Sequence, residues 1–260
     1  MHTLSMFDLS LIIPTFNELT AIDHTLDLVI QFAATHPNYD FIFVDDGSSD
    51  GTLTRIDSRL HSLSHPPQNI RLIPLPENRG KGFAVLTGVF QARGKFICFM
   101  DGDLPYPLNL LHFFETELEN ADIVIGSRNI PGAINTDVPR RRKFLGWGFN
   151  WLARNLMGLS YFDTQAGFKG FRREVAQLLF GSLETYDFSF DVEILYLAHK
   201  CDLRVIEIPV QVNAHHSYKT SKLKLTYDSI RMLVDLFKIR FNKTLAKTDR
   251  NDLLSRFTKL

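Results

Sequence analysis

Short apolar runs recur along the first half of the chain, at Leu9 to Ile13, Phe41 to Val44, Ile70 to Leu75, Phe96 to Met100 and Asp122 to Ile125. These runs predict buried strands. Between them, Glu18 to Ala34, Thr52 to Leu63, Gly82 to Ala92 and Pro107 to Leu118 carry apolar residues at helical spacing. A regular β-α alternation of this kind predicts an α/β fold with a mostly parallel central sheet flanked by helices. Ligands of such sheets gather beyond the carboxyl ends of the strands. Three polar segments fall there: Pro14 to Glu18, Asp45 to Asp50 and Asp101 to Asp103.

Beyond Arg128 the pattern loosens through Pro131 to Pro139. The basic run Arg140-Arg141-Arg142-Lys143 then precedes a helix predicted from Phe144 to Met157. A strand over Phe168 to Phe171, helices near Arg173 to Phe180 and Phe188 to Cys201, and a strand over Arg204 to Val210 follow. From Lys219 to Lys247 eight basic residues stand against Asp228 and Asp235, while Ile230, Leu233, Val234, Phe237 and Phe241 recur at helical spacing. That is a C-terminal amphipathic helix, whose apolar stripe can pack on the domain or lie in a membrane interface. With no internal repeat or linker, a single domain is expected over residues 1–245, with halves at 1–128 and 129–245 and a tail at 246–260.

Composition narrows the classes. Hydrophobic residues make up 45% of 260, enough for a sizeable core. The formal net charge of +0 gives no whole-molecule attraction to a polyanion, so nucleic acid is not an expected partner. The two cysteines, Cys98 and Cys201, lie in apolar or helical patterns, and no Cys/His spacing suits zinc. A cytoplasmic home is the simplest expectation, either in solution or peripheral on the cytoplasmic membrane face, because no apolar stretch approaches the roughly 18 residues of a span.

Several motifs carry candidate chemistry. Asp101-Gly102-Asp103 follows a strand, and if the extended geometry persists its period of two turns both carboxylates to one side. Two hard oxygens suit a magnesium or manganese ion that completes its shell with water and phosphate oxygens; an acidic turn served by Gly102 is the competing reading. Asp45-Asp46-Gly47-Ser48-Ser49-Asp50-Gly51-Thr52 offers carboxylates for ribose hydroxyls or base N–H groups, or a tight turn in which Asp50 or Thr52 caps the next helix. Asn17, within Pro14-Thr15-Phe16-Asn17-Glu18, reads equally as a helix N-cap. Asn78-Arg79-Gly80-Lys81-Gly82 places Lys81 at a helix start, where an ammonium and free N–H groups can meet a phosphate. It fits neither a dinucleotide fingerprint nor a Walker loop. His215-His216 has no supporting ligands and is assigned to an exposed loop.

In this order, together with Gly126-Ser127-Arg128, these motifs resemble the family 2 glycosyltransferases of the GT-A fold. The closer resemblance is to polyprenyl-phosphate sugar transferases. Asp163-Thr164-Gln165-Ala166-Gly167-Phe168-Lys169, Phe190-Asp191-Val192-Glu193 and Ser221-Lys222-Leu223 are similar to the dolichyl-phosphate β-glucosyltransferases in particular.

The resemblance implies that residues 1–128 bind a nucleotide sugar, expected to be UDP-glucose, and that 129–245 serve the acceptor. Pro14, Glu18 and Asp46 would hold the nucleoside and Lys81 would approach the donor. Asp101, Gly102 and Asp103 would meet the donor phosphate, the two carboxylates binding Mg2+ or Mn2+. Arg128 and Arg142 would take a polyprenyl-phosphate acceptor. Thr15, Asn17, Asp45, Gln165, Lys169 and Asp191 are further candidates. The stretch departs from mannosyltransferase relatives at Leu104-Pro105, where no third protein ligand is expected.

The chemistry is consistent with that set. A phosphate monoester with a second pKa near 6 is mostly dianionic at neutral pH, so attack on an anomeric carbon needs no strong general base. What it needs is two anions held together despite repulsion, a demand that a metal and arginines meet. A transferase acting on a saccharide hydroxyl would need a carboxylate base instead, and a GDP-mannose-dependent enzyme shares most of the motifs. A silent nucleotide-sugar-binding protein would keep the fold without turnover.

Overall fold

The computed structural model describes residues 7–63, 67–134, 140–212 and 227–242, with backbone alone at 140–145 and 227–230. Seven strands form one sheet: β1 (Phe7–Thr15), β2 (Tyr39–Asp45), β3 (Ile70–Pro74), β4 (Gly94–Met100), β5 (Ile123–Ser127), β6 (Phe168–Arg172) and β7 (Val205–Pro209). Among the described residues eight helices accompany them: α1 (Ile22–Thr35), α2 (Thr52–His61), α3 (Lys81–Gln91), α4 (Leu110–Leu118), α5 (Arg140–Met157), α6 (Arg173–Phe180), α7 (Phe190–Lys200) and α8 (Tyr227–Phe241). The order across the sheet is β3-β2-β1-β4-β6-β5-β7. β6 pairs antiparallel with both β4 and β5, and every other pairing is parallel.

Period-two alternation puts each strand's side chains on two faces, and both are buried. Leu9, Leu11 and Ile13 of β1 join Phe41, Phe43, Phe96, Cys98 and Met100 in a core closed by Leu26, Val29, Leu111 and Phe114 of α1 and α4. Ile12, Ile42, Val44, Ile97 and Phe99 point the other way, onto Val85 of α3, Leu179 and Phe180 of α6, Phe190 of α7 and Leu236 of α8. The continuous apolar runs in the sequence are therefore strands covered on both sides. Cys98 and Cys201 are free and buried.

Some boundaries differ from expectation. The first helix begins at Ile22 rather than Glu18, after a turn in which Ala21 and Ile22 donate to the Glu18 carbonyl. The helix expected from Phe144 begins at Arg140, so the basic run forms its first turn. No helix among the described residues is long and apolar enough to cross a membrane. The Arg142 side chain, His215-His216, Ser221-Lys222-Leu223 and the tail at 246–260 lie outside the described residues.

Candidate active site

Because β1, β2, β4 and β5 run the same way, their carboxyl ends share one edge of the sheet. Residues 14–18, 45–50, 101–103 and 127–128 meet there. The reversed strand β6 adds a fifth segment to the same edge, since its amino end brings in the loop 163–167. The start of α3 completes the group with Lys81.

The acidic motif is a turn. β4 ends at Met100, Leu104 N donates to the Asp101 carbonyl at 2.9 Å, and Leu104 takes a φ of 45°. The extended geometry expected to align the two carboxylates therefore stops one residue short. Gly102 earns its place by proximity: a Cβ there would stand 2.5 Å from the Pro14 carbonyl oxygen. The turn lies directly on the end of β1 as a result, and Thr25 of α1 donates to the Gly102 carbonyl.

Asp101 is gripped from two sides. Its N–H donates to the Gly167 carbonyl at 3.1 Å, and a Cβ on Gly167 would overlap its Oδ2. Its Oδ1 accepts the Lys81 ammonium at 2.6 Å. Burial works against the Lys81 charge, but Asp101, Asp191 and Asp103 overcome it and hold the ammonium above its ordinary pKa. Gly167→Ala is expected to push the Asp101 carboxylate aside and lower kcat by about 10²-fold, the size typical of an ångström-scale misplacement. Circular dichroism should stay that of the parent; a variant with parental kcat would show that Asp101 need not sit where it does.

Behind this contact lies a second pair. Lys169 is wholly buried, and its Nζ donates to Asp191 Oδ1 at 2.6 Å and to the Ala166 carbonyl at 2.7 Å. Burial depresses the Lys169 pKa and Asp191 opposes it. Lys169 thus fixes the loop whose next residue, Gly167, touches Asp101. Glu193, two residues beyond Asp191, accepts Glu184 N, Thr185 N and Thr185 Oγ1, which ties the loop before α7.

Arg128 stands at the end of β5 in a two-point pair with Asp163: Nε to Oδ2 at 2.8 Å and Nη2 to Oδ1 at 3.0 Å. Nη2 also reaches the Gln165 carbonyl at 3.2 Å. Asp163 is buried, which alone would raise its pKa, but Arg128 overrides this and holds it below the ordinary carboxylate range. Two further residues hold the loop in turn. Glu207 of β7 accepts the N–H groups of Phe162 and Asp163, and Asn150 of α5 accepts Thr164 N and Oγ1 while donating to the Phe162 carbonyl.

On the opposite flank, Asp46 accepts Arg79 N at 2.8 Å and Gly80 N at 2.9 Å, so both its oxygens brace the loop leading to Lys81. Burial nevertheless raises its pKa. Gly80, at φ 97°, and Gly82 pack against Tyr186, whose carbonyl accepts Gly82 N at 2.7 Å. One N–H at the start of α3 is therefore already committed. Asp45 accepts Ser48 N and Oγ, and the Thr15 carbonyl accepts Asp46 N. Asn17 is no N-cap: at φ 51° it accepts Ser49 N on Oδ1 and donates its own N–H to the Ser48 hydroxyl oxygen, joining the first two loops. Asp50 does serve the next helix, accepting Thr52 N at 3.0 Å, with Gly51 as the capping residue itself.

The structure thus brings Pro14, Asp46, Lys81, Asp101, Gly102, Asp103 and Arg128 to one edge, and sets Lys169 and Asp191 beneath it. Sequence reasoning missed Asp163, Gly167, Asn150 and Glu207 as supports. Only Asp163 and Gly167 had a signal, their place in the Asp163 to Lys169 motif.

The sequence profile of the glycosyl transferase family 2 matches residues 10–180. The chain belongs to glycosyl transferase family 2. Among family members, the dolichyl-phosphate β-glucosyltransferase of Dictyostelium discoideum is 34% identical over 255 residues, covering 92% of this chain and 75% of that one. Those of Drosophila melanogaster and Saccharomyces cerevisiae are 35% and 33% identical, each covering 89% of this chain and 74% of theirs. Among solved structures, glucosyl-3-phosphoglycerate synthase of Mycobacterium tuberculosis with UDP superposes with a TM-score of 0.66 at 19% identity, covering 90% of this chain and 80% of that one. The same enzyme with Mn2+, UDP and glucosyl-3-phosphoglycerate gives 0.65, also at 19% identity, covering 91% and 80%. These two likenesses establish the GT-A architecture. As a family 2 glycosyltransferase the chain is a nucleotide-sugar-dependent enzyme, and the edge just described is where its strands deliver polar groups.

Proposed function

We propose that this glycosyltransferase moves glucose from UDP-glucose onto a polyprenyl phosphate, with inversion, at the cytoplasmic face of a membrane. The observation that carries this reading is the identity of 33–35% to dolichyl-phosphate β-glucosyltransferases over most of the chain. The chemistry of the edge supports it. A phosphate oxygen attacks the anomeric carbon, the bond to the diphosphate breaks, and no proton has to be removed from the nucleophile. Asp191 is tied to buried Lys169 and Glu193 to the loop before α7, as suits an acceptor that needs no base.

Pro14, Glu18 and Asp46 are assigned to the nucleoside side and Lys81 to the donor phosphates. Arg128 and Arg142 are assigned to the acceptor phosphate, with Asp163 fixing the plane of the Arg128 fork so that it presents a set direction of attraction. Asp101 and Asp103 are the residues that would hold Mg2+ or Mn2+. Two carboxylates fit such an ion when diphosphate and water complete its shell, and Asp101 already accepts a cation, the Lys81 ammonium. Among the described residues no group of three or more His, Cys, Asp or Glu could hold a metal by itself. When bound, the ion supplies positive charge to the departing nucleoside diphosphate.

A donor screen reading nucleoside diphosphate release, with and without polyprenyl phosphate and divalent metal, tests the reading. UDP release from UDP-glucose that depends on the lipid phosphate is expected; GDP release from GDP-mannose, or turnover on a saccharide hydroxyl, would replace it. Arg128→Ala and Arg142→Ala are each expected to lower kcat/KM for the acceptor by about 10²-fold with UDP affinity near the parent's. Lysine at either position should restore part of the loss, since it keeps the charge and forfeits the planar fork. Normal acceptor binding with lost UDP affinity would move both arginines to the donor side.

A further inference from the structure

We propose that the outward faces of α5 and α8, with the adjoining Phe162, form a docking surface for an anionic lipid bilayer. Twelve large apolar side chains are exposed among the described residues, and half of them lie here: Trp147 at 64%, Trp151 at 55%, Phe162 at 50%, Val234 at 47%, Phe237 at 50% and Phe241 at 70%. Their spacing explains the concentration. Trp147 and Trp151 are one turn apart on α5, and Val234, Phe237 and Phe241 follow one stripe of α8. The opposite sides of the same helices are buried, through Ala153 and Met157 on α5 and Met232, Leu236 and Ile239 on α8. Both helices thus carry an apolar face inward and a second, aromatic one outward.

The two helices are joined, Arg240 Nε donating to the Leu156 carbonyl at 3.1 Å. They also reach the active edge. Asn150, between the tryptophans, bonds both Phe162 and Thr164, which flank Asp163, the partner of Arg128. The aromatic rim therefore adjoins the arginine assigned to the acceptor phosphate.

Charge chooses the occupant. The chain is neutral overall, yet α5 carries five basic residues and no acidic one, four of them in its first turn. On α8 Arg231 and Lys238 are matched by Asp187 and Asp235, while Arg240 bonds the Leu156 carbonyl, so most of the surplus belongs to α5. Tryptophan and phenylalanine on helices with this excess of arginine and lysine in the sequence suit the boundary of an anionic bilayer, where rings enter the acyl border and cations meet headgroups.

This inference deepens the polyprenyl-phosphate reading, and the two can fail separately. Trp147 and Trp151 are the only tryptophans in the chain, so tryptophan emission, excited selectively over tyrosine, reports this face. The full chain, without donor or acceptor, is mixed with vesicles of phosphatidylcholine containing phosphatidylserine, or of phosphatidylcholine only. A blue shift and co-sedimentation with the anionic vesicles, both weakened by salt, are expected. Phe237→Ser/Phe241→Ser should weaken vesicle binding at least about tenfold, as loss of two buried rings implies, with turnover of a water-soluble short-chain acceptor unchanged. Trp147→Ala/Trp151→Ala, read by sedimentation, should do the same from the other helix. No shift with anionic vesicles, equal binding to both vesicle types, or a shift that needs only higher protein concentration would overturn the proposal, the last by making the face a self-association surface. Vesicle binding without lipid-dependent UDP release would sink the functional reading and leave the docking surface standing.

Discussion

Asp103→Asn is expected to lower turnover by about 10³-fold or more, because an amide keeps the size of the carboxylate and forfeits the charge offered to a cation. Asp103 is the informative choice of the two acidic residues. Asp101 is wedged against Gly167 and bonded to Lys81, so altering it disturbs the loop and the lysine as well. Asp103 is half-buried, on a turn already fixed by Gly102 and the Pro14 carbonyl, and the fold should tolerate its replacement. Three readouts belong together: kcat, Mn2+ affinity in the presence of UDP, and the thermal midpoint. Loss of the first two with the third kept is the expected pattern. Full activity of the parent enzyme in metal-stripped buffer with chelator would remove the metal from the scheme.

Lys169→Met is expected to destabilise the protein by about 3–5 kcal/mol, the usual cost of removing one partner of a buried pair. Methionine fills much of the lysine's volume, so the loss is electrostatic: Asp191 and the Ala166 carbonyl would keep their burial without their donor. The double variant Lys169→Met/Asp191→Leu should recover much of that stability, since no uncompensated charge remains. Urea unfolding of both variants measures the difference. Activity should not recover with stability, because the loop that sets Gly167 against Asp101 would still lack its anchor. A double variant as active as the parent would reduce the pair to packing.

Much of this edge was legible in the sequence because the chemistry follows the strands. Asp45, Asp101 and Arg128 each stand at or just beyond the last residue of an apolar run, and parallel pairing then makes neighbours of segments far apart in the chain. The reversal of β6 was not legible. Phe168 to Phe171 reads as a buried strand in either direction, and the direction decides whether the loop 163–167 reaches the acidic turn or the far end of the sheet. Asp163 escaped for the same reason, as 35 residues separate it from Arg128 and no local pattern links them. Asn17 was ambiguous because an amide that caps a helix and one that bridges two loops look alike until the turn after it is known. The Asp101 to Asp103 geometry failed at a single residue, where the strand ended and the turn began.

The placement of β6 also governs how the chain can assemble as it leaves the ribosome. β1 to β4 can pair as they emerge, each beside a strand already made. β5 cannot: its only neighbours are β6 and β7, which follow some 40 and 80 residues later. Until then β4 presents an open edge and β5 an unpaired apolar run, the exposure that draws chaperones and invites aggregation. A nascent chain halted near residue 160 should therefore be protease-sensitive and bind holdases, and one extended past β7 should resist both.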